Sequence, residues 1–140
     1  MPQKILIVDD NPDDIEIAKI VLAERGYEVE VEAVRQCEAA LDLLRQGNDL
    51  PSLILLDLKL YGMGGIEALR QIRADRRFDH IPVIIVTSSY LEADKKEALA
   101  VGADHFLCKA FDIDRFSEDL HALLQQFLPG RNPPPAPLLF

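Results

Sequence analysis

The stretch ILIVDDNPDD, residues 5–14, sets four apolar residues directly against two pairs of carboxylates, Asp9–Asp10 and Asp13–Asp14. A continuous run of Ile, Leu and Val suits a strand buried on both faces, as in a parallel sheet. The residues after the first acidic pair read as the start of a helix. Asn11 can cap it, Pro12 takes its first position, and Asp13 and Asp14 favour its positive end. The helix then shows an apolar stripe of Ile15, Ala18 and Leu22 and stops near Gly26. Asp13 and Asp14 need no purpose beyond the helix dipole. Asp9 and Asp10 are left without one.

The same unit recurs along the chain. Further apolar runs are LILL (53–56), VIIV (83–86) and HFLC (105–108). The segment YEVEVEA (27–33) alternates apolar and acidic residues, which predicts a strand with one wet face near a sheet edge. Helical patterns fall between the strands. The second helix is expected at 36–46, ending at Gly47. The third covers about 65–75, with Ile66, Leu69, Ile72 and Arg73 in its pattern. The fourth, about 91–101, ends at Gly102, and its weak apolar stripe predicts the loosest packing. The fifth carries Ile113, Phe116, Leu120, Leu123, Leu124 and Phe127 at helical spacing. Five βα units imply an α/β doubly wound parallel sheet with helices on both faces. Residues 1–128 are expected to form one domain. The proline-rich segment 129–140 is expected to be an extended, loose tail.

Composition narrows the function. The chain has 140 residues, 49% apolar and 28% charged, which is ordinary for one globular domain. A formal net charge of −9 argues against nucleic acid and anionic membranes as partners. The basic run Arg73, Arg76, Arg77 is broken by Asp75 and Asp79 and reads as a solvated helix end. Cys37 and Cys108 form no metal-binding or redox spacing. Both read as reduced, inert side chains of a cytoplasmic protein. No signal peptide and no membrane-length apolar run is present.

In open α/β sheets ligands bind beyond the carboxyl ends of the strands. Strand 1 ends there in Asp9 and Asp10, strand 3 in Asp57, strand 4 in Thr87 and Ser88, and strand 5 in Lys109. Two carboxylates about 4 Å apart repel by roughly 4 kcal/mol at an effective dielectric near 20. A bound cation or a proton offsets that. Hard oxygen donors with no neighbouring His or Cys suit Mg²⁺ or Mn²⁺ rather than zinc or copper. One of the adjacent Asp9 and Asp10 can ligate directly and the other through water. A carboxylate can also be a nucleophile toward phosphorus. Asp57, alone at the end of a central strand, is the expected nucleophile. The Lys109 ammonium would neutralise the transferring group, and the Thr87 hydroxyl would donate to it.

Taken in order, IVDDN (7–11), LLDLKL (55–60), VTSS (86–89) and LCKAF (107–111) resemble the receiver domain of two-component response regulators, the CheY-like fold. The resemblance covers about residues 3–128. It implies strand order 2-1-3-4-5 and phosphoryl transfer to Asp57 from a sensor histidine kinase or phosphotransfer protein. It also implies Mg²⁺ held by Asp10, Asp57 and the backbone carbonyl of Lys59, with Asp9 acting through water. Thr87 and Lys109 would contact the phosphoryl group. Phe106 would be the aromatic switch that turns inward as Thr87 moves. The face made by the fourth helix, fifth strand and fifth helix would be read by a downstream protein or by a second copy of the chain. Lys59 and Ser89 would tune the lifetime of the phosphate.

Three departures from the family pattern stand out. Ala110 replaces the usual proline after the lysine. A non-proline cis bond costs about 2.5–4 kcal/mol, so either that strain is kept or the bond is trans and the loop differs. LYGMGG (60–65) puts Tyr61 and Gly64 where proline and aspartate are usual, which predicts a looser loop. Ser88 takes a position usually held by alanine. His80, His105 and His121 are scattered and read as structural. The expected function is that of a stand-alone receiver and not of an enzyme in its own right, since it catalyses only its own phosphorylation and slow dephosphorylation. A small aspartyl-phosphate phosphatase is the alternative. It would carry a second acid two residues after the nucleophile, where this chain has Lys59. A flavodoxin-like module ranks last, because DDNPDD repels phosphate unless a metal is present.

Overall fold

The computed structural model describes residues 3–60, 62–109 and 112–128. Tyr61, the Lys109–Ala110 bond and the tail 129–140 lie outside the described residues. Five strands alternate with five helices: β1 Gln3–Val8, α1 Pro12–Glu24, β2 Val29–Val34, α2 Cys37–Gln46, β3 Leu53–Leu56, α3 Gly65–Ala74, β4 Val83–Thr87, α4 Glu92–Val101, β5 His105–Cys108 and α5 Ile113–Phe127. A 3₁₀ turn, Arg76–Phe78, follows α3. All strand pairs are parallel, in the order β2-β1-β3-β4-β5. The expected α/β architecture and strand order are therefore present.

The continuous apolar runs are explained by a core on each face of the sheet. Along β1, Ile5 and Ile7 pack toward α1 and α5, whereas Leu6 and Val8 pack toward α2, α3 and α4. In β3, Leu53 and Leu55 join the first core, and Ile54 and Leu56 the second. Side chains alternate across a strand, so a strand covered on both faces is apolar at every position. β2 is the edge strand expected from YEVEVEA, and none of its residues is fully buried. Glu32 on it pairs with Lys4 of β1 at 2.7 Å.

The helix ends follow local chemistry. Asn11 caps α1, its side chain accepting from the Asp13 N–H at 2.9 Å. Gly47 ends α2 in the left-handed region, φ +71°. α4 buries only Ala98, in line with its thin stripe. One expected core position is corrected in α5: Ile113 is 57% exposed, because it opens the helix at the rim of the fold. Arg73 is a second correction. Its side chain is no solvated helix end. It donates to the carbonyls of Gly102, Phe78 and Ile81 and pairs with Asp104 at 2.9 Å. That guanidinium ties α3 to the 3₁₀ turn and to the turn that precedes β5.

The cysteines are unpaired and differ in access. Cys37 is fully buried, and burial, then the charges of Glu38 and Asp57, push its thiol up to about 12. Cys108 is half-buried and donates to the Ser89 carbonyl. Iodoacetamide at pH 8 should therefore modify Cys108 in the native protein and reach Cys37 only after unfolding. Peptide mapping of the alkylated chain checks this, and equal labelling of both would contradict the packing around Cys37.

Candidate functional site

Strand register brings the acids together. Ile5 to Val8 pair with Leu53 to Leu56, so Asp9 and Asp57 leave adjacent strands side by side. The Asp57 N–H still donates to the Val8 carbonyl at 3.0 Å, and the Asp9 N–H to Val34 at 3.0 Å. Thr87 ends β4, opposite Cys108, and its carbonyl accepts the Lys109 N–H at 2.7 Å. After Asp57 the chain doubles back into α3. A side chain at Gly65 would lie 2.2 Å from the Asp57 carbonyl oxygen, so only glycine admits this close approach. Gly64, by contrast, is in an extended conformation open to any residue, and the extra glycine gives the backbone no unusual geometry there.

Asp9 and Asp57 are each 6% exposed. Asp10 is half-buried, and carboxylate oxygens of Asp9, Asp10 and Asp57 lie within 4.8 Å of one another. The Lys109 ammonium donates to Asp57 at 3.0 Å and to Asp9 at 2.9 Å. Its third and shortest contact, 2.7 Å, is to Asp14. This corrects the reading of Asp14 as a helix-dipole residue alone. A signal was present: Asp14 stands four residues before Ala18 and seven before Val21, on the buried stripe of α1, whereas Asp13 is off it and exposed.

The electrostatics follow from burial. Desolvation raises the Asp9 carboxyl above its ordinary value, opposed by the Asn11 N–H at 3.0 Å and by Lys109. Burial works to lower the Lys109 ammonium, but hydrogen bonds to Asp14 and Asp9, with the charge of Asp57, outweigh it and hold it above its usual value. Lys109 is therefore a fixed cation at neutral pH. Asp57 Oδ2 takes the ammonium and Oδ1 takes the Lys59 N–H at 3.2 Å, while the Lys59 side chain is exposed.

The two expected switch residues lie one strand apart. Thr87 is fully buried, and among the described residues its hydroxyl accepts a long bond, 3.4 Å, from the Ser89 N–H. Phe106 is 8% exposed and packs in the core beneath α3 and α4. Ser89 is also buried, and its hydroxyl donates to Asp94 of α4 rather than facing Asp57. Of the histidines, His121 meets the Tyr27 hydroxyl at 2.9 Å, linking α5 to the end of α1.

The donor set fits a small hard divalent cation: three carboxylates on one sheet edge, all oxygen, without imidazole or thiolate among them. With that geometry the matches to known proteins agree. A profile of the response regulator receiver domain matches residues 5–121. The chain belongs to the response regulator receiver domains, signalling proteins of two-component systems. It is 31% identical over 124 residues to the polar-differentiation response regulator DivK of Brucella anthropi, covering 89% of this chain and 98% of DivK. Against some other relatives it spans 56–58% of their length. Among solved structures it resembles the phosphorylated cyanobacterial phytochrome response regulator RcpA, with a TM-score of 0.85 and 28% identity over 92% of this chain and 96% of that one. The Mn²⁺-bound form of response regulator Rcp1 superposes with a TM-score of 0.83 and 28% identity, over 95% and 99% of the two chains. Among the described residues no helix is long and apolar enough to cross a membrane.

Proposed function

We propose that the chain accepts a phosphoryl group on Asp57 from a sensor histidine kinase or phosphotransfer protein, and that phosphorylation switches its α4–β5–α5 face for a downstream protein. The observation that carries this is one carboxylate, 6% exposed at the end of a central strand, with an ammonium 3.0 Å away and two further acids beside it. An Asp57 carboxylate oxygen attacks phosphorus and forms the O–P bond, while the bond from phosphorus to the donor breaks and the donor leaves with its electron pair. Lys109 gives a hydrogen bond to the transferred oxygens and offsets their charge. Asp9, Asp10, Asp57 and the Lys59 carbonyl would hold Mg²⁺ or Mn²⁺. The cation supplies charge neutralisation for the phosphoryl oxygens.

For the switch, the support is local. Thr87 gives up only a long hydrogen bond in turning toward a phosphoryl oxygen. Tyr90 and Leu91, just before α4, and Leu99 within it are 64%, 62% and 42% exposed. Apolar groups in solvent on this face suit a protein partner, either a target or a second copy of the chain.

Incubation with Mg²⁺ and acetyl phosphate, followed by intact mass measurement, tests the proposal. One phosphoryl adduct is expected, absent in Asp57→Asn and absent when Mg²⁺ is chelated. A wild-type protein without an adduct, or an adduct that survives Asp57→Asn, would overturn it.

A further inference from the structure

The geometry points to Asp14 as a positioning residue for phosphoryl transfer, one that holds the Lys109 ammonium at Asp57 while the other partners of that ammonium change. The inference rests on the reading of Asp57 as phosphoacceptor and goes beyond it. Lys109 has three N–H donors, and each meets a different carboxylate: Asp9 at 2.9 Å, Asp14 at 2.7 Å and Asp57 at 3.0 Å. Two of those acceptors have other work. Asp9 belongs to the set that faces a cation, and a divalent ion there competes with Lys109 for its oxygens. Asp57 becomes an acyl phosphate, and the oxygen that bonds phosphorus loses most of its acceptor strength. Asp14 stands outside the acidic triad, on α1 rather than on the sheet edge, and keeps its charge and place throughout.

Packing alone does not fix the lysine. A cavity of about 50 Å³ lies next to its side chain, lined by Ile17, Ala18, Leu55, Val86 and Phe116 among others. A flexible four-carbon stem beside open space adopts one geometry only if its head is tethered. The tether must come from a group that the reaction leaves unaltered, and Asp14 is that group. In physical terms Asp14 supplies preorganisation, because the ammonium need not be relocated when charge develops on the phosphoryl oxygens.

The test is a double-mutant cycle on the full chain with acetyl phosphate and saturating Mg²⁺, read by intact mass as initial rates. Asp14→Ala is expected to lower the maximal rate about tenfold, with the half-saturating donor concentration little changed, because a full ångström of misplacement costs about a hundredfold and the ammonium, still drawn to Asp57, shifts by less. Asp14→Asn, which keeps an acceptor oxygen, should recover most of the loss. In a Lys109→Ala background, Asp14→Ala should change the rate by less than about twofold, since it acts only through the lysine. Three results would each overturn the inference: no slowing by Asp14→Ala, equal slowing with and without Lys109, or Asp14→Asn as slow as Asp14→Ala. A wild-type chain that forms no adduct would instead refute the reading of Asp57, and the inference with it.

Discussion

Lys109→Met is expected to lower stability by roughly 2–3 kcal/mol at neutral pH in the absence of divalent ions, a fall of about 10 °C in Tm. The side chain keeps its length and loses its charge. Removing one partner of a buried pair usually costs about 3–5 kcal/mol. The lower figure reflects the access of water to Lys109 and Asp14, whose side chains are 17% and 29% exposed. The pH dependence has a definite sign. Burial already raises the Asp9 carboxyl, and Lys109 is among the groups that oppose the rise. In the variant it rises further. A carboxyl with a native pKa above its unfolded value, ordinarily 3.8, binds its proton more tightly in the native state. The variant is therefore least impaired below about pH 4, and its deficit grows as pH rises through the raised native value. Millimolar Mg²⁺ should restore part of the loss, because the cation replaces the missing positive charge and binds only the folded cluster. Melting curves at pH 5 and pH 8, each with EDTA or Mg²⁺, check all three statements. A variant as stable as wild type at pH 8 in EDTA would mean that the three ion pairs contribute nothing. Phosphorylation from acetyl phosphate should also slow by about a hundredfold.

Arg73→Ala carries the second large effect, this time on stability alone. The guanidinium satisfies three backbone carbonyls and the Asp104 carboxylate from one rigid fork. Asp104 also accepts the Val83 N–H at 2.8 Å, so the pair anchors the start of β4. Gly102 leaves room for it, because a Cβ there would sit 2.8 Å from the arginine Cγ. Hydrogen bonds to charged groups contribute about 1.5–3 kcal/mol each, and partial solvation of the freed carbonyls recovers some of that. The expected loss is about 4 kcal/mol. Arg73→Lys should recover less than half, since a single ammonium cannot span the same acceptors. Urea denaturation with an unchanged slope and a shifted midpoint is the diagnostic result. A loss below about 1 kcal/mol would show the clamp to be incidental.

These two residues mark where the sequence could and could not be read. Strands such as LILL and VIIV were legible because burial on both faces leaves no polar position, and a run of that kind has few alternatives. Asn11–Pro12 was legible because capping is a contact within a few residues. The acids of the edge were legible as a set, since fold topology gathers strand ends. Arg73 was not, because its value lies in carbonyls as far away as Gly102, and a charge on a helix ordinarily faces water. Asp14 is hidden for a related reason: the helix dipole offers a sufficient local account, and the distant lysine that claims it is visible only in space. Ile113 shows the reverse error. It fits the period of α5 but precedes the point where the helix meets the sheet.

The parallel order of the sheet has a consequence for synthesis of the chain. Domains fold as units while the polypeptide emerges from its N-terminus. Asp9, Asp10, Asp14 and Asp57 are all made before Lys109, which follows Asp9 by 100 residues. An incomplete chain that closed β1 onto β3 would crowd its acids together with no ammonium to balance them. The balancing ammonium arrives only with β5, when α5, Ile113–Phe127, is all of the fold that is still to be made.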